Sequence, residues 1–338
     1  MKITSIHNCL ITLEPSELPY SKKGKKFLLG YRDCSHIIPY KLNETAVQFK
    51  EKLMANQTSI SISGVQDKYS IKVLKKEFQL TDTAGTYILK PKTSNLKNNE
   101  YIPINEHLTM LIANKVFGIE AAACGLVLFA DGEPAYITRR FDVAKDGTRY
   151  LKEDFASVLQ RTEMTHGKAY KYESSYEEVA IAIDKFLPAA MIQKEKLFKL
   201  ALFNYLIGNG DAHLKNFSVI SYETKDPYYV LAPAYDLLCT KLHIDDNDFA
   251  FGNRLFEEDY KAESFTKFGF HSYKDFYEFG LRIGLLPVRV KKIINNFLIK
   301  KQMVEMYVAN SYLSNDLKKA YLHFYNDKLG RLETDKVS

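Results

Sequence analysis

Hydrophobic and polar residues alternate along the first part of the chain in a way that is typical of strands. Residues 59–63, 69–74 and 86–90 follow this pattern, and turn-forming residues 81–85 separate the last two. Two apolar runs at 126–129 and 135–139 flank Asp131-Gly132-Glu133-Pro134, which predicts a hairpin. Helical spacing is found at about residues 43–56 and at 104–117, where Gly118 closes the helix. We therefore expect a β-rich first part with two helices.

The character of the chain changes near residue 150. Helical spacing recurs from there on, and the last dozen residues are expected to fray; the predicted helices are 176–186, 194–207, 273–283, 288–308 and 314–325. Strands followed by helices predict an α+β fold with two lobes. The expected division is a β-rich lobe over 1–138, a hinge at 139–142 and an all-helical lobe over 143–338.

Composition narrows the class of protein only moderately. The 338 residues are 46% hydrophobic and carry a net charge of +6, as in ordinary globular proteins. We expect a cytoplasmic protein with no membrane contact, because no apolar run approaches the roughly 20 residues of a span and the N-terminus lacks a signal-like apolar stretch. Four widely spaced cysteines favour reduced thiols over a zinc site. The lysine clusters predict a solvated surface, and no motif supports sequence-specific nucleic-acid binding.

The most informative segment is the polar loop at 207–218, which follows an apolar helical run. Asp211 and Asn216 are five residues apart, the spacing at which a kinase loop carries its catalytic base and a magnesium ligand. Asp236, twenty residues after Asn216, is a single acid in an apolar setting and is the candidate for a second metal ligand. An ordinary Gly-Asn-Gly-Asp turn accounts for 208–211 only, and leaves His213, Lys215 and Asn216 unexplained.

Three upstream features fit the same chemistry. The loop at 61–68 contains Gly64, which lets backbone N–H groups approach phosphates, although a plain hairpin turn is the alternative. Lys90 ends a strand-like run, as the phosphate-binding lysine of a kinase does, and Glu106 in the next helix is a candidate partner for it. Each has an ordinary surface role as its alternative. In the hinge, the backbone of Arg139, Arg140 and Phe141 is a candidate contact for the adenine edge, with plain surface charges and a core side chain as the alternatives.

These motifs resemble those of the HipA-like serine/threonine kinase toxins of bacterial toxin–antitoxin systems. The resemblance covers roughly residues 59–240, and the matching segments are 61–68, 88–91, 105–106, 140–142, 208–218 and 231–237. It implies a two-lobed, protein-kinase-like fold and the use of ATP and Mg²⁺. It assigns Asp211 as the catalytic base, Asn216 and Asp236 as metal ligands, and Lys90 as the phosphate-binding lysine.

The resemblance also implies further site residues and an inactivating modification. His213 and Lys215 would lie near the nucleotide, and Ser63, Gly64, Val65, Gln66, Asp67 and Lys68 would cover its phosphates. Ser61 is the position matching an autophosphorylated loop serine, with Ser63 as a second candidate. A phosphate there adds nearly two negative charges where ATP phosphates bind, so repulsion inactivates the site.

Partners and target follow from the resemblance alone. The loop begins near residue 59, whereas full-length members carry about a hundred more residues before it, so the chain resembles the short HipT-like form. That form implies a HipS-like small antitoxin in addition to a HipB-like DNA-binding antitoxin. The implied substrate is an aminoacyl-tRNA synthetase, with the tryptophanyl type favoured, and its phosphorylation would arrest translation.

Two other functions remain open at this point. A kinase-like binding module without catalysis usually lacks the base, the lysine or a metal ligand, and this chain keeps all of them. A small-molecule phosphotransferase shares the Asp–Asn spacing and would be supported by a deep acidic pocket. The candidate acids for such a pocket are Asp245, Asp246 and Asp248, for which a solvated loop is the favoured interpretation.

Overall fold

The computed structural model of the chain describes residues 1–41, 67–81, 85–93, 96–223, 225–252, 254–257 and 260–336. Two antiparallel-rich sheets and a set of helices make up this part of the chain. The first sheet has six strands in the order β1-β5-β6-β4-β2-β3, with only β1 and β5 parallel among these pairs. Its strands are β1 Ile37–Ile38, β2 Tyr69–Leu74, β3 Glu77–Leu80, β4 Tyr87–Lys90, β5 Cys124–Phe129 and β6 Pro134–Arg139.

Helices dominate the rest of the described chain. Helix α2 packs on the first sheet and continues as a π-helical turn, Ile112–Val116, and the other long helices follow residue 175. The helices are α1 Lys22–Gly24, α2 Ile102–Leu111, α3 Phe155–Val158, α4 Glu163–His166, α5 Tyr176–Phe186, α6 Ala190–Ile207, α7 Glu263–Phe268, α8 Tyr273–Arg282, α9 Pro287–Leu298, α10 Lys301–Asn310 and α11 Asn315–Glu333. The predicted mixture of sheet and helices is confirmed, while the lobe boundaries remain a prediction.

The expectation of an all-helical second part is wrong. A three-stranded antiparallel sheet lies within it, with β7 Leu151–Asp154, β8 Ser218–Ser221 and β9 Val230–Leu231. Strand β7 is mostly exposed and β8 is fully buried. Neither therefore shows the alternation of a half-buried strand, and both are too short to be recognised by composition.

Two helix boundaries also differ from the prediction. The helix expected over 288–308 is two helices, α9 and α10, which meet at an exposed Ile299. Buried Val290, Ile294, Phe297 and Val304 keep helical spacing across the break, so periodicity cannot reveal it. The tail expected to fray is helical to Glu333, because Leu329 and Leu332 are buried. The helix predicted at 43–56 and the strand at 59–63 lie outside the described residues.

The core that supports the site is rich in aromatic side chains. Helix α6 is buried along nearly its whole second half, from Leu200 to Ile207, so it has no polar face there. Tyr176 packs edge-on against Phe249 and Phe251 at 5.0 and 5.2 Å between ring centroids. A short backbone bridge joins the residues before β5 to Ala234, with Ala122 N–H donating to Ala234 O at 2.9 Å. The segment leading to Asp236 is thereby tied to the first sheet.

Candidate active site

Asp211 lies in the loop that follows α6, and two glycines shape this loop. Gly208 ends the helix with φ of 68°, and its N–H donates to the carbonyls of Asn204 and Tyr205. A Cβ added to Gly210 would lie 2.3 Å from Asn247 O, so only glycine lets the loop approach the backbone there. The chain then turns, and Asp211 lines a cavity.

Asn216 is brought beside Asp236 by a 3₁₀ turn, Leu214–Asn216. Its Oδ1 accepts from the His213 N–H at 3.2 Å, and its Nδ2 donates to Asp236 Oδ2 at 3.3 Å. Asp236 has φ of 56°, in the left-handed region that aspartate tolerates better than most residues. Such a backbone at a half-buried polar side chain is typical of a functional constraint.

Lys90 and Glu106 form a buried ion pair that also includes Asp236. Lys90 Nζ lies 2.5 Å from Glu106 Oε1 and contacts Asp236 Oδ1, while Lys68 Nζ lies 3.4 Å from Asp236 Oδ2. The side chains of Lys90 and Glu106 are only 5% and 3% exposed. Lys90 at the end of β4, Glu106 in α2, Lys68 just before β2 and Asp236 in the segment after β9 therefore bring two cations and two carboxylates together.

The charges in this cluster are set by burial and mutual attraction. Burial alone would lower the pKa of Lys90, but Asp236 and Glu106 outweigh it, and the pKa is raised. Burial alone would raise the pKa of Asp236, but Lys90 and Lys68 hold it well below its usual range. For Glu106 burial prevails over Lys90 and raises the pKa to about 7. Lys90 and Asp236 are accordingly ionised at neutral pH.

Asn105 connects helix α2 to the chain that follows Asp236. Its Nδ2 donates to Cys239 O at 2.9 Å, and its Oδ1 accepts from Cys239 N–H at 3.1 Å. The same Nδ2 lies 2.9 Å from His243 Nε2, and Thr109 Oγ1 donates to Oδ1 at 3.2 Å. Asn105 is fully buried. Because Glu106 is the next residue, these bonds fix the ion pair relative to the Asp236 segment.

Tyr172 is a site residue that the motifs did not indicate. Its hydroxyl donates to Asp211 Oδ1 at 2.7 Å, and its ring packs edge-on against His213 at 5.1 Å. Burial outweighs the attraction of Asp211 and lowers the pKa of His213 to about 4, so this imidazole is neutral at physiological pH. Tyr172 precedes Asp211 by 39 residues and belongs to no pattern shared with it, so spacing carries no signal of the contact.

Two neighbouring cavities meet at the charged cluster. The larger, of about 350 Å³, contains the candidate catalytic groups and an apolar end; its lining includes Glu106, Tyr172, Asp211, His213, Asn216, Leu96, Ile102 and Leu238. The smaller, of about 190 Å³, is lined in part by Thr138, Arg139, Arg140, Phe141 and Tyr235. Lys68, Lys90 and Asp236 line both. Their combined size suits a drug-sized ligand such as a nucleotide.

The predicted site residues are not all at these cavities. Lys215 is paired with Asp154 Oδ2 at 2.7 Å and lines neither cavity. Asp67 accepts from Tyr69 Oη at 3.3 Å. Ser61 and residues 63–66 lie outside the described residues, so the loop predictions stay predictions.

The hinge residues line the smaller cavity, but part of their backbone is already engaged. The N–H groups of Arg139 and Arg140 donate to Ala123 O and Thr86 O at 2.8 and 2.9 Å. Adenine contact from this segment would therefore use carbonyl groups or Phe141. The Arg140 side chain is not free either, since its guanidinium binds both carboxylate oxygens of Asp142.

The acidic run at 245–248 is only partly the solvated loop that was expected. Asp245 is fully exposed, whereas the Asp246 side chain is 14% exposed and lies 3.4 Å from Lys241 Nζ. Asp248 is paired with Lys328. All three acids have a cationic partner in the chain, since Asp245 Oδ1 also lies 3.8 Å from Lys241 Nζ, so they do not form the unpaired acidic pocket of a small-molecule phosphotransferase.

The oxygen atoms at Asn216 and Asp236 suit Mg²⁺. The described residues contain no group of three or more His, Cys, Asp and Glu side chains that could hold a metal by themselves. Mg²⁺ is commonly held by one or two protein oxygens together with substrate phosphates and waters. A carboxylate and an amide, with two lysines close by for phosphate, fit that mode of binding.

Known proteins similar to this chain include kinases. A Haemophilus influenzae protein named "Putative kinase" is 28% identical over 350 residues, which cover 96% of this chain and 97% of that one. The Shewanella oneidensis serine/threonine-protein kinase toxin HipA is 27% identical over 205 residues, covering 55% of this chain and 44% of the toxin. A Sinorhizobium fredii protein, "Putative kinase Y4dM", is 31% identical over 214 residues, 58% of this chain and 48% of that protein. The chain thus spans about half the length of these last two.

Solved structures with the same fold have lower sequence identity. The Shewanella oneidensis MR-1 HipA chain, solved with HipB and its operator DNA, has a TM-score of 0.61 at 20% identity over 87% of this chain and 70% of that one. The Helicobacter pylori proinflammatory kinase CtkA has a TM-score of 0.51 at 17% identity, covering 81% of this chain and 91% of CtkA.

In the described residues no helix has the length and apolar character to cross a membrane.

The profile of the HipA-like C-terminal domain matches residues 60–305. That match includes β4, helix α2, the Asp211 loop and the Asp236 segment. The chain belongs to the family of proteins that carry a HipA-like C-terminal domain.

Proposed function

We propose that the chain is a serine/threonine protein kinase toxin with a two-lobed, kinase-like arrangement that transfers the γ-phosphoryl group of ATP. The observation that carries this proposal is the convergence of Asp211, Asn216, Asp236 and the Lys90–Glu106 pair on one pair of joined cavities. Phosphoryl transfer requires positioning and charge stabilisation more than covalent chemistry, and these groups supply both.

Each group has a role set by its surroundings. Asp211 accepts the proton of the acceptor hydroxyl as that oxygen attacks phosphorus. Lys90 binds the phosphates, and Glu106 holds the lysine at the end of β4. Asp236 and Asn216 would hold Mg²⁺, which neutralises negative charge on the phosphates when it is bound. The smaller cavity receives the adenine, beside Phe141 and the hinge backbone.

Regulation and target complete the proposal and rest on the family resemblance. Ser61 or Ser63 accepts phosphate in an inactivating autophosphorylation, since added negative charge opposes ATP phosphates. The protein target is an aminoacyl-tRNA synthetase, of the tryptophanyl type, and its modification arrests translation. The similar HipA structure is a complex with HipB and DNA, which supports a HipB-like antitoxin as a partner. A HipS-like small protein is the second antitoxin.

The test is phosphate transfer from labelled ATP with Mg²⁺, followed by phosphosite mapping. We expect label on the chain at Ser61 or Ser63 in the wild type. Asp211→Asn should reduce transfer by about 10²- to 10⁴-fold, the usual contribution of a general base, with ATP-analogue binding retained. Asp245→Asn, at a fully exposed acid, is the matched control and should transfer normally.

Three results would count against the proposal. Transfer that persists in Asp211→Asn would refute the assignment of the base. ATP binding without transfer, in wild-type protein shown by mass spectrometry to carry no phosphate beforehand, would instead indicate a binding module with a kinase-like fold. Transfer to aminoglycosides or lipids in place of protein would indicate a small-molecule phosphotransferase.

A further inference from the structure

Tyr172 contacts the proposed catalytic base through its hydroxyl. The phenol donates to Asp211 Oδ1 at 2.7 Å, which is a normal length for an O–H···O bond to a carboxylate. Within the described part of the chain, no other side chain donates a hydrogen bond to this carboxylate. One carboxylate oxygen is thus fixed by the protein, and the other is the atom available to an acceptor hydroxyl.

The segment that carries Tyr172 is anchored by contacts to the Asp211 loop and to Arg161. The Tyr172 ring packs against His213, two residues beyond Asp211, at an interplanar angle of 77°. Arg161 binds the Glu173 carbonyl and the Glu178 carboxylate, next to Tyr172 in the chain. These contacts hold the Tyr172 phenol next to Asp211.

Further contacts tie the following residues to helix α5. Ser175 Oγ caps this helix by accepting from the Glu178 N–H at 2.9 Å, and it also contacts Glu257. If Tyr172 were a phosphate acceptor or a pseudosubstrate, it would have to leave the site before another acceptor could enter. Its segment is instead held by ring packing, by Arg161 and by the cap of helix α5, so Tyr172 is suited to remain beside Asp211.

The chemistry of the phenol agrees with a donor role. Burial, followed by the nearby charge of Asp211, raises the pKa of Tyr172, so the hydroxyl keeps its proton at physiological pH. A protonated phenol orients a carboxylate and does not compete with it as a base.

We infer that Tyr172 is a positioning residue for phosphoryl transfer, which orients Asp211 by holding Oδ1 and directs Oδ2 toward the acceptor hydroxyl. This inference rests on the proposed kinase function. It adds a residue from the chain between α4 and α5 to a catalytic loop that follows α6. The role is played through Asp211 and not by contact with the nucleotide.

The experiment compares Tyr172→Phe with Tyr170→Phe, which removes a hydroxyl from the same 3₁₀ turn, Tyr170–Tyr172. Transfer is followed as label on the chain and on added casein, and as ATP hydrolysis. We expect Tyr172→Phe to lower kcat about ten- to a hundredfold, as for loss of a hydrogen bond to a charged group, with KM for ATP and melting temperature unchanged. Tyr170→Phe should match the wild type.

A double-mutant cycle with Asp211→Asn separates positioning from general structural support. In the Asp211→Asn background, Tyr172→Phe should have little further effect on kcat, since the two residues act as a unit. Independent, multiplicative losses would overturn the inference, as would a kcat that is unchanged or raised in Tyr172→Phe. Phosphate mapped to Tyr172 would also overturn it, because the phenol would then be an acceptor. Wild-type protein that carries no phosphate beforehand and transfers none would overturn the proposed function and this inference together.

Discussion

Replacing Asn105 with leucine should strongly destabilise the protein, although the two side chains are similar in size. The substitution removes both bonds to the backbone of Cys239 and the contact with His243 Nε2. The buried Cys239 N–H and the buried His243 Nε2 lose these partners, whereas Cys239 O keeps a bond from the Leu242 N–H at 3.3 Å. Each unsatisfied buried group costs about 1–3 kcal/mol. We therefore expect a loss of about 3–5 kcal/mol from the free energy of unfolding, a large part of the roughly 5–15 kcal/mol of a typical domain.

The measurement is urea unfolding followed by circular dichroism, together with binding of a fluorescent ATP analogue. Thr109→Val is the matched control, because it removes one bond to Asn105 and one to Tyr321 Oη but leaves Cys239 satisfied. It should cost about 1–3 kcal/mol, the cost of one unsatisfied buried group, because the buried Tyr321 Oη loses this partner. If Asn105→Leu lost less than Thr109→Val, the tie between α2 and the Asp236 segment would not be the stabilising contact that we describe.

Two further predictions concern protons and metal. Burial lowers the pKa of His107 to about 4, below the 6.5 of an unfolded histidine. Between these two pH values the unfolded state therefore binds more protons than the folded state. The free energy of unfolding should fall by up to about 3 kcal/mol as the pH drops from 6.5 to 4. His107→Gln, which keeps a donor near Ile11 O, should flatten that decline in urea unfolding measured across this range, and an equally steep decline in the variant would contradict it. Asp236→Asn should raise the Mg²⁺ concentration for half-maximal transfer at least about tenfold, through loss of a carboxylate ligand. The exposed Asp146→Asn should leave it unchanged, and an unchanged Mg²⁺ requirement in Asp236→Asn would remove Asp236 from the metal site.

The sequence predicted those parts of the fold that have a strong local signal. Helix α5 begins and ends where its apolar spacing does, at Tyr176 and Phe186, and the hairpin of β5 and β6 lies on either side of its predicted turn. The strands β7–β9 were missed because they are stabilised by pairing with neighbouring strands, and their composition carries no strand signal. The break at Ile299 was missed because the apolar repeat continues through it.

The candidate site divides in the same way. Lys90, Glu106, Asp211, Asn216 and Asp236 were chosen from motif order, and the structure brings all five to one cavity, although their roles remain predictions. Tyr172 could not be chosen, because its contact depends on how the chain between α4 and α5 folds back on the loop. Lys215 was placed near the nucleotide by resemblance, and its pairing with Asp154 depends on β7, which the sequence did not reveal.

The bridge between the first sheet and Ala234 has a consequence for how the site tolerates mutation. Ala122 N–H donates to Ala234 O, and Ala234 N–H donates to Glu120 O at 2.8 Å, so the attachment is made by backbone atoms alone. Many side-chain changes at these positions would leave both bonds in place, whereas proline at 122 or 234 removes a donor and detaches the segment that leads to Asp236. This junction can therefore persist between relatives whose side chains here have little in common.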